Sequence, residues 1–322
     1  MKFFNSRPPL NIPNSRVVHP PGLTISLQAY EPACMLSRFT QTLSMTDVVP
    51  KEVPIRPAAT VLLIDDRPDL QVFMMKRHAN TVFAGGMWVF PGGAVDHQDD
   101  ASYFSGIATH RTDNEASELM NLENGGLAYY MAAIRETFEE AGVLLALHQE
   151  DESPLNIAEA STARFQQYRD QLNAGEIELK TILEKESLMA DIGKMHYIAR
   201  WVTPFGSPRR FDARFFIARI PRLQIPIHDD GELVNSVWMS PREVIEKAAT
   251  DEMVLMSPTL RMVKSLAEFD SADQVIASAS SNPEDHRVRV HKDSGIIVLP
   301  GEAGYSDALT DVETGWIRLR RT

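Results

Sequence analysis

The sequence has a single cysteine, Cys34, among 322 residues. That excludes an intramolecular disulfide and any multi-cysteine zinc or iron–sulfur site, and it fits a reducing compartment. Long apolar runs are missing too, and none approaches the ~20 residues that a membrane-spanning helix needs. Positive charge is in deficit, with 32 Lys and Arg against 44 Asp and Glu, for a net charge of −12. A field of that sign repels phosphate backbones, which argues against nucleic-acid binding, and it suits a site that holds divalent cations. The nine histidines include no H-x-x-x-H pair, so zinc is not expected. There is no G-x-S-x-G nucleophile motif and no G-x-x-x-x-G-K phosphate loop. Internal repeats are absent as well.

What is present is ordinary globular composition, 43% hydrophobic and 24% charged, enough for a sizeable core. The length fits two domains or one decorated domain. The first 44 residues hold six prolines, four basic side chains and one acid, Glu31, with no sustained period. Residues 1–45 are therefore expected to be a disordered or dispensable arm. A transit segment is a second reading, opposed by the prolines, and a start at Met45 is a third.

Order is expected from about Ile55. A strand at 58–64, turn chemistry in Asp65-Asp66-Arg67-Pro68-Asp69 and a strand at 70–76 make a hairpin. Met87-Trp88-Val89-Phe90 reads as a short strand stopped by Pro91-Gly92-Gly93, and a polar, weakly patterned stretch runs from Asp96 to Gly126. Residues 127–141 read as a helix closed by Gly142. The segment at 155–190 reads as charged helix broken at Gly175. Strands are expected at 196–203, 214–220 and 234–239. Ser240-Pro241 and Ser257-Pro258 both look like a cap followed by a proline start. The chain after Asp270 reads as a tail, β-like from 287 to 299.

The chemistry sits on the helix that ends at Gly142. At ~100° per residue, Leu127, Tyr130, Met131, Ile134, Phe138 and Ala141 share one face. Glu136, Glu139 and Glu140 cluster on the opposite face at i, i+3 and i+4. Three clustered carboxylates repel one another unless a cation neutralises them, and hard oxygen ligands suit Mg²⁺ or Mn²⁺. A solvated acidic face is the plainer reading of E-x-x-E-E. What favours the cation is the upstream Phe90-Pro91-Gly92-Gly93, where backbone can approach a metal or phosphate closely.

Arg135-Glu136-Thr137-Phe138-Glu139-Glu140-Ala141-Gly142-Val143 resembles the helical half of the Nudix box, G-x5-E-x7-R-E-U-x-E-E-x-G-U, with Gly93 as its leading glycine. Thr137 stands where a bulky aliphatic is usual. Arg135 lies 42 residues after Gly93 where the box has 14, so 28 residues are inserted. The box's first glutamate is unlocated: counting forward from Gly93 gives Asp99, and counting back from Arg135 gives Leu127. The split box resembles the branch that contains the peroxisomal coenzyme A diphosphatases. Their motif, L-L-T-x-R-[SA]-x3-R-x3-G-x3-F-P-G-G, fits residues 73–93 without a gap. Arg77, Gly86 and the Phe90–Gly93 turn match it, while His78 and Val82 depart from it.

The resemblance covers about residues 55–270 and implies an α/β (α+β) fold. This is the Nudix α/β/α sandwich, a mixed sheet between helices, with a domain at 46–270 enlarged at about 97–126 and 155–190. The tail, 271–322, lies outside it. The resemblance implies divalent-metal-dependent hydrolysis of a diphosphate joined to a nucleoside, with coenzyme A or an acyl-coenzyme A as first-choice substrate. Another nucleoside diphosphate derivative or a non-catalytic Nudix-fold binder is the alternative. It gives catalytic work to Glu136, Glu140 and Arg135, metal binding to Gly93, Glu136, Glu139, Glu140 and the loop acid Glu232, and substrate contacts to Arg77, Gly86 and Gly92. Arg77 is expected to serve the 3′-phosphate of coenzyme A. Arg209 and Arg210 read as surface charge before phosphate contacts. Trp88, Trp201 and Trp238 read as core. The expected cofactor is Mg²⁺ or Mn²⁺. The expected partner is a small nucleotide substrate, with no nucleic acid or membrane, and a homodimer is left open. A cytoplasmic location is expected, since the chain shows no peroxisomal C-terminal signal.

Overall fold

The computed structural model describes residues 53–321 except 82–83, 158, 205–206, 227–232, 282, 292–295 and 309–314. The 1–45 arm, Val82 and Glu232 lie outside the described residues. The chain opens with β1 (Ile55–Asp66), β2 (Leu70–Arg77), β3 (Trp88–Val89) and β4 (Gly92–Ala94). Two 3-10 turns, α1 (Asp113–Leu119) and α2 (Gly126–Ala141) follow. Next come β5 (Ala146–His148), α3 (Glu159–Asn173), α4 (Leu179–Lys185), β6 (Leu188–Ala190), β7 (His196–Val202), β8 (Arg210–Arg219) and β9 (Leu233–Met239). The last elements are α5 (Pro241–Ala249), α6 (Ser257–Leu266), α7 (Ala272–Ser280) and the short strands β10 (His286–Arg287), β11 (Arg289–Val290), β12 (Ile297–Val298) and β13 (Trp316–Ile317).

Val61, Leu62, Leu63 and Ile64 in β1 are all fully buried. An unbroken apolar run of this kind suits a strand covered on both faces. Among the described residues the main sheet has nine strands in the order β10-β13-β7-β8-β1-β2-β3, with β4 on β1 and β9 on β2. It is mixed: β1 runs parallel to β8 and antiparallel to β2. Val61, Leu63, Phe73 and Met75 face one core, shared with Tyr130, Ile134 and Phe138 of α2 and Ile182 of α4. Leu62, Ile64, Val72 and Met74 face the other, against Val244 of α5, Met262 of α6 and Val275 of α7. The result is helices on both faces of a mixed sheet, as expected.

Strand β1 has β8 along one edge and two partners in turn along the other. Its residues 58–60 pair with β4, and 64–66 pair with β2. Gly92 and Gly93 are thereby held edge-on against the middle of the central strand, facing α2.

The insertion is more ordered than its pattern implies. Thr112 and Glu115 form a capping box at the start of α1, and Phe104, Ala116 and Met120 are buried in the α2-side core. Asp113 accepts the N–H groups of Gly125 (3.0 Å) and Leu127 (2.8 Å), and the Ser117 hydroxyl accepts that of Gly126 (2.9 Å). Those are donors that the first turn of a helix leaves without partners. The inserted segment therefore caps the helix it interrupts.

The stretch after Asp270 joins the main sheet through β10 and β13. Strand β13 pairs with β7, α7 starts with the Ala272 N–H on the Asp66 carboxylate at 2.8 Å, and Val288, Leu299 and Leu319 join the second core. Its separate patterning hid this, because two-residue strands carry no readable period. The 155–190 segment is α3 and α4 around Gly175, at φ +69°, but its last residues are the strand β6, paired with β5, and not helix. Ser240 caps α5 as expected, whereas α6 begins one residue earlier than its Ser-Pro pair implies, with Met256 at the cap and Ser257 already helical.

Candidate active site

Helix α2 ends where Gly142, in the left-handed region at φ +67°, turns its N–H back to Phe138 and Thr137. Its apolar face fills the core, and Thr137 joins it: fully buried, it donates its hydroxyl to the Ala133 carbonyl at 2.6 Å. That self-satisfied hydroxyl is why threonine is tolerated where an aliphatic is usual. The acids on the other face are not solvated. The side chains of Glu136, Glu139 and Glu140 are only 14%, 16% and 12% exposed.

They are packed against the Gly92-Gly93 turn. The Gly92 N–H donates to Glu140 Oε2 at 2.9 Å. A side-chain carbon on Gly93 would fall 2.3 Å from Glu136 Oε1, and one on Gly92 would fall 2.4 Å from the Ala59 carbonyl oxygen. Both positions need glycine, Gly93 for the carboxylate and Gly92 for the central strand.

Arg135 is buried and organises the acids. Its Nη1 donates to Glu136 Oε1 (2.8 Å) and Glu139 Oε2 (3.0 Å), and its Nη2 reaches the Ala94 carbonyl at 2.9 Å. Behind it stands Asp99, fully buried, which takes Nε and Nη2 on separate oxygens, each at 3.0 Å. Asp99 also accepts the Asp96 N–H at 2.8 Å, closing a capping box on the 3-10 turn that follows β4. Burial pushes the Asp99 carboxyl upward while the Arg135 fork opposes it. Burial also pushes Glu139 up to about 7, with Arg135 pulling it down and Glu136 raising it further.

Arg77, at the end of β2, places Nη1 3.8 Å from Glu140 Oε1. It thus stands over the acid cluster. Arg77, Gly92, Gly93, Arg135, Glu136, Glu139 and Glu140 are brought together. Gly86 sits at φ +74° in the turn before β3, beside Met87, whose carbonyl accepts the Arg77 N–H at 2.9 Å. Arg210 is not the surface charge its sequence context implies, because it is 4% exposed and donates Nε to the Thr203 carbonyl at 3.2 Å. Trp88 and Trp201 are buried, and Trp238 packs on Phe73 at 5.5 Å between ring centres. Asp99 is the residue to which the sequence pattern leads without giving it a role. It lies six positions after Gly93, where the box has glutamate, and its shorter carboxylate still reaches Arg135.

Among the described residues, no three carboxylates or imidazoles converge on one point. Glu136 and Glu139 turn toward Arg135, and Glu140 toward Gly92. The donor set nevertheless fits a hard divalent cation, with three largely buried carboxylates beside two glycines.

The family profile described as NUDT19 Nudix domain matches residues 109–266. A crystal structure of a NUDIX hydrolase from Alicyclobacillus acidocaldarius is 28% identical, with a TM-score of 0.55, covering 70% of this chain and 96% of that one. The chain is thus similar to Nudix hydrolases over about half to two thirds of its length. Two curated Nudix relatives are named acyl-coenzyme A diphosphatase NUDT19. The Homo sapiens protein is 27% identical over 232 residues, 62% of this chain and 61% of that protein. The Xenopus laevis protein is 24% identical over 230 residues, 62% of this chain and 60% of that protein. The chain thus spans about three fifths of the length of those relatives. No helix among the described residues is long and apolar enough to cross a membrane.

Proposed function

We propose that the chain hydrolyses the diphosphate of coenzyme A or an acyl-coenzyme A, giving free or acylated 4′-phosphopantetheine and adenosine 3′,5′-bisphosphate. The observation that carries this reading is the packing of Glu136, Glu139 and Glu140 against Gly92-Gly93 with Arg77 beside Glu140. That arrangement puts an acid cluster and a phosphate-seeking cation on the same turn. The name shared by the curated relatives supports the substrate class.

Nudix hydrolases generally use divalent metal ions, and in this reading Glu136, Glu139, Glu140 and the Gly93 carbonyl hold Mg²⁺ or Mn²⁺. The bound cation would neutralise charge on the bridging phosphates and lower the pKa of water. Glu136 orients the attacking water and takes its proton. Arg135, held from behind by Asp99, fixes the rotamers of Glu136 and Glu139. Arg77 binds a phosphate oxygen, a role that suits a guanidinium.

The test is a hydrolysis screen across coenzyme A esters, dinucleotides and nucleotide sugars, with Mg²⁺, Mn²⁺ or chelator. The reading expects metal-dependent release of adenosine 3′,5′-bisphosphate from the coenzyme A esters. Val82 replaces the motif's second arginine, which favours a second reading in which another nucleoside diphosphate derivative is the substrate. Preferential cleavage of a dinucleotide or nucleotide sugar would select it.

A further inference from the structure

The last carbonyls of a helix have no partner within it. In α2 the Gly142 N–H serves Phe138. The carbonyls of Glu139 and Glu140 come next in line, and both go to one side chain. Arg169 of α3 donates Nε to the Glu139 carbonyl and Nη2 to the Glu140 carbonyl, each at 2.8 Å. Asn173, one turn on, reaches the Glu139 carbonyl at 3.4 Å. Arg169 is 4% exposed, and its helix is seated by Phe165 and Leu172, both buried. A guanidinium here satisfies two main-chain acceptors and opposes the negative end of the helix dipole.

The two residues so held carry two of the three clustered carboxylates, Glu140 on the Gly92 N–H and Glu139 on Arg135. Fraying of this last turn would swing both side chains together, whereas loss of one side-chain contact would swing only one. We propose that Arg169 is a positioning residue for the acid cluster: by clamping the main chain of Glu139 and Glu140 it keeps their carboxylates set for a divalent cation. The proposal rests on the metal-binding reading of Glu139 and Glu140 given above. It also gives the charged α3 segment a function, as a brace on the site helix.

The test reads Mn²⁺ binding directly, by electron paramagnetic resonance of free Mn²⁺ titrated into the full-length protein without substrate. Arg169→Met keeps the length of the side chain and removes both donors. It should weaken Mn²⁺ binding roughly 10- to 100-fold, as loss of a group supporting metal ligands does. Arg169→Lys, which keeps a charge and one reach, should fall between the two. Phe165→Leu, a packing change in the same helix, should lower Tm while leaving the Mn²⁺ Kd within about twofold. Should Arg169→Met fail to fold, Arg169→Lys decides, with more than about threefold weakening expected. A Kd for the folded Arg169 variants equal to wild type overturns the brace alone. A wild type that binds no Mn²⁺ overturns the metal reading, and the brace with it.

Discussion

Asp99 and Arg135, 36 residues apart in the chain, form a two-point ion pair at 3.0 Å on each arm, with Asp99 fully buried and Arg135 nearly so. The same guanidinium reaches Glu136 and Glu139 on the site side. Asp99 is thus an anchor that ties the glycine turn to the acid-bearing helix across the insertion. Removing it leaves a buried cation short of its principal partner. Asp99→Ala should cost about 3–5 kcal/mol of stability, the range for breaking one side of a buried pair. Urea unfolding measures it, and a loss below about 1 kcal/mol would mean that Glu136 and Glu139 alone satisfy Arg135.

The two adjacent glycines should respond differently to alanine. In Gly92→Ala the new carbon meets the main chain of Ala59 and Thr60, at 2.4 and 2.7 Å. Main chain in the central strand cannot yield, so Tm should fall by about 10 °C or more. In Gly93→Ala the obstacle is the end of the Glu136 side chain, which can move. There, turnover should drop roughly tenfold or more with Tm changed by no more than about 3 °C. Differential scanning calorimetry beside a turnover assay separates the two cases.

Arg77→Ala should lower kcat/KM about ten- to a hundredfold, the equivalent of about 1.5–3 kcal/mol for a hydrogen bond to a charged group. Sequence context points Arg77 toward the 3′-phosphate, which would make the loss larger for coenzyme A than for 3′-dephospho-coenzyme A. If Glu140 holds the cation that binds the diphosphate, as proposed, a position 3.8 Å from Glu140 favours a diphosphate contact, and the two losses should then be equal. Kinetics on both substrates decides between these placements.

Removing residues 271–322 should prevent folding or lower Tm by more than about 10 °C. The segment supplies α7, the strand paired with β7, and Val275, Leu299 and Ile317 to the core. A truncated chain that melts like the full one would show that this packing contributes little.

Much of this was legible in the sequence for identifiable reasons. The β1–β2 hairpin announced itself by an apolar run broken at Asp65–Asp69, and α2 by a 3.6-residue period ending at glycine. The acid face was legible because i, i+3 and i+4 spacing fixes neighbours on any helix. Its burial was not, since that depends on Gly92-Gly93 arriving from β4. Asp99 is reached by the count from Gly93 but has no legible role, because the pattern calls for a glutamate at a place where the chain comes close enough for an aspartate. Arg169 lay in a segment whose charges read as solvated, and only the meeting of α3 with the end of α2 gives it partners. The insertion and residues 271–322 were obscured alike by short elements, whose buried residues (Phe104, Met120, Leu319) are too widely scattered to show a period.

The most direct measurement is turnover of Glu140→Gln across a Mg²⁺ and Mn²⁺ titration on the best substrate from the screen. The substitution keeps the shape of the side chain and removes its charge. The account predicts a loss of about two orders of magnitude or more, on the scale of deleting a main charge-stabilising group, with circular dichroism and Tm close to wild type. Near wild-type turnover at every metal concentration would contradict it, and would make the packed acids of α2 a structural feature of the helix.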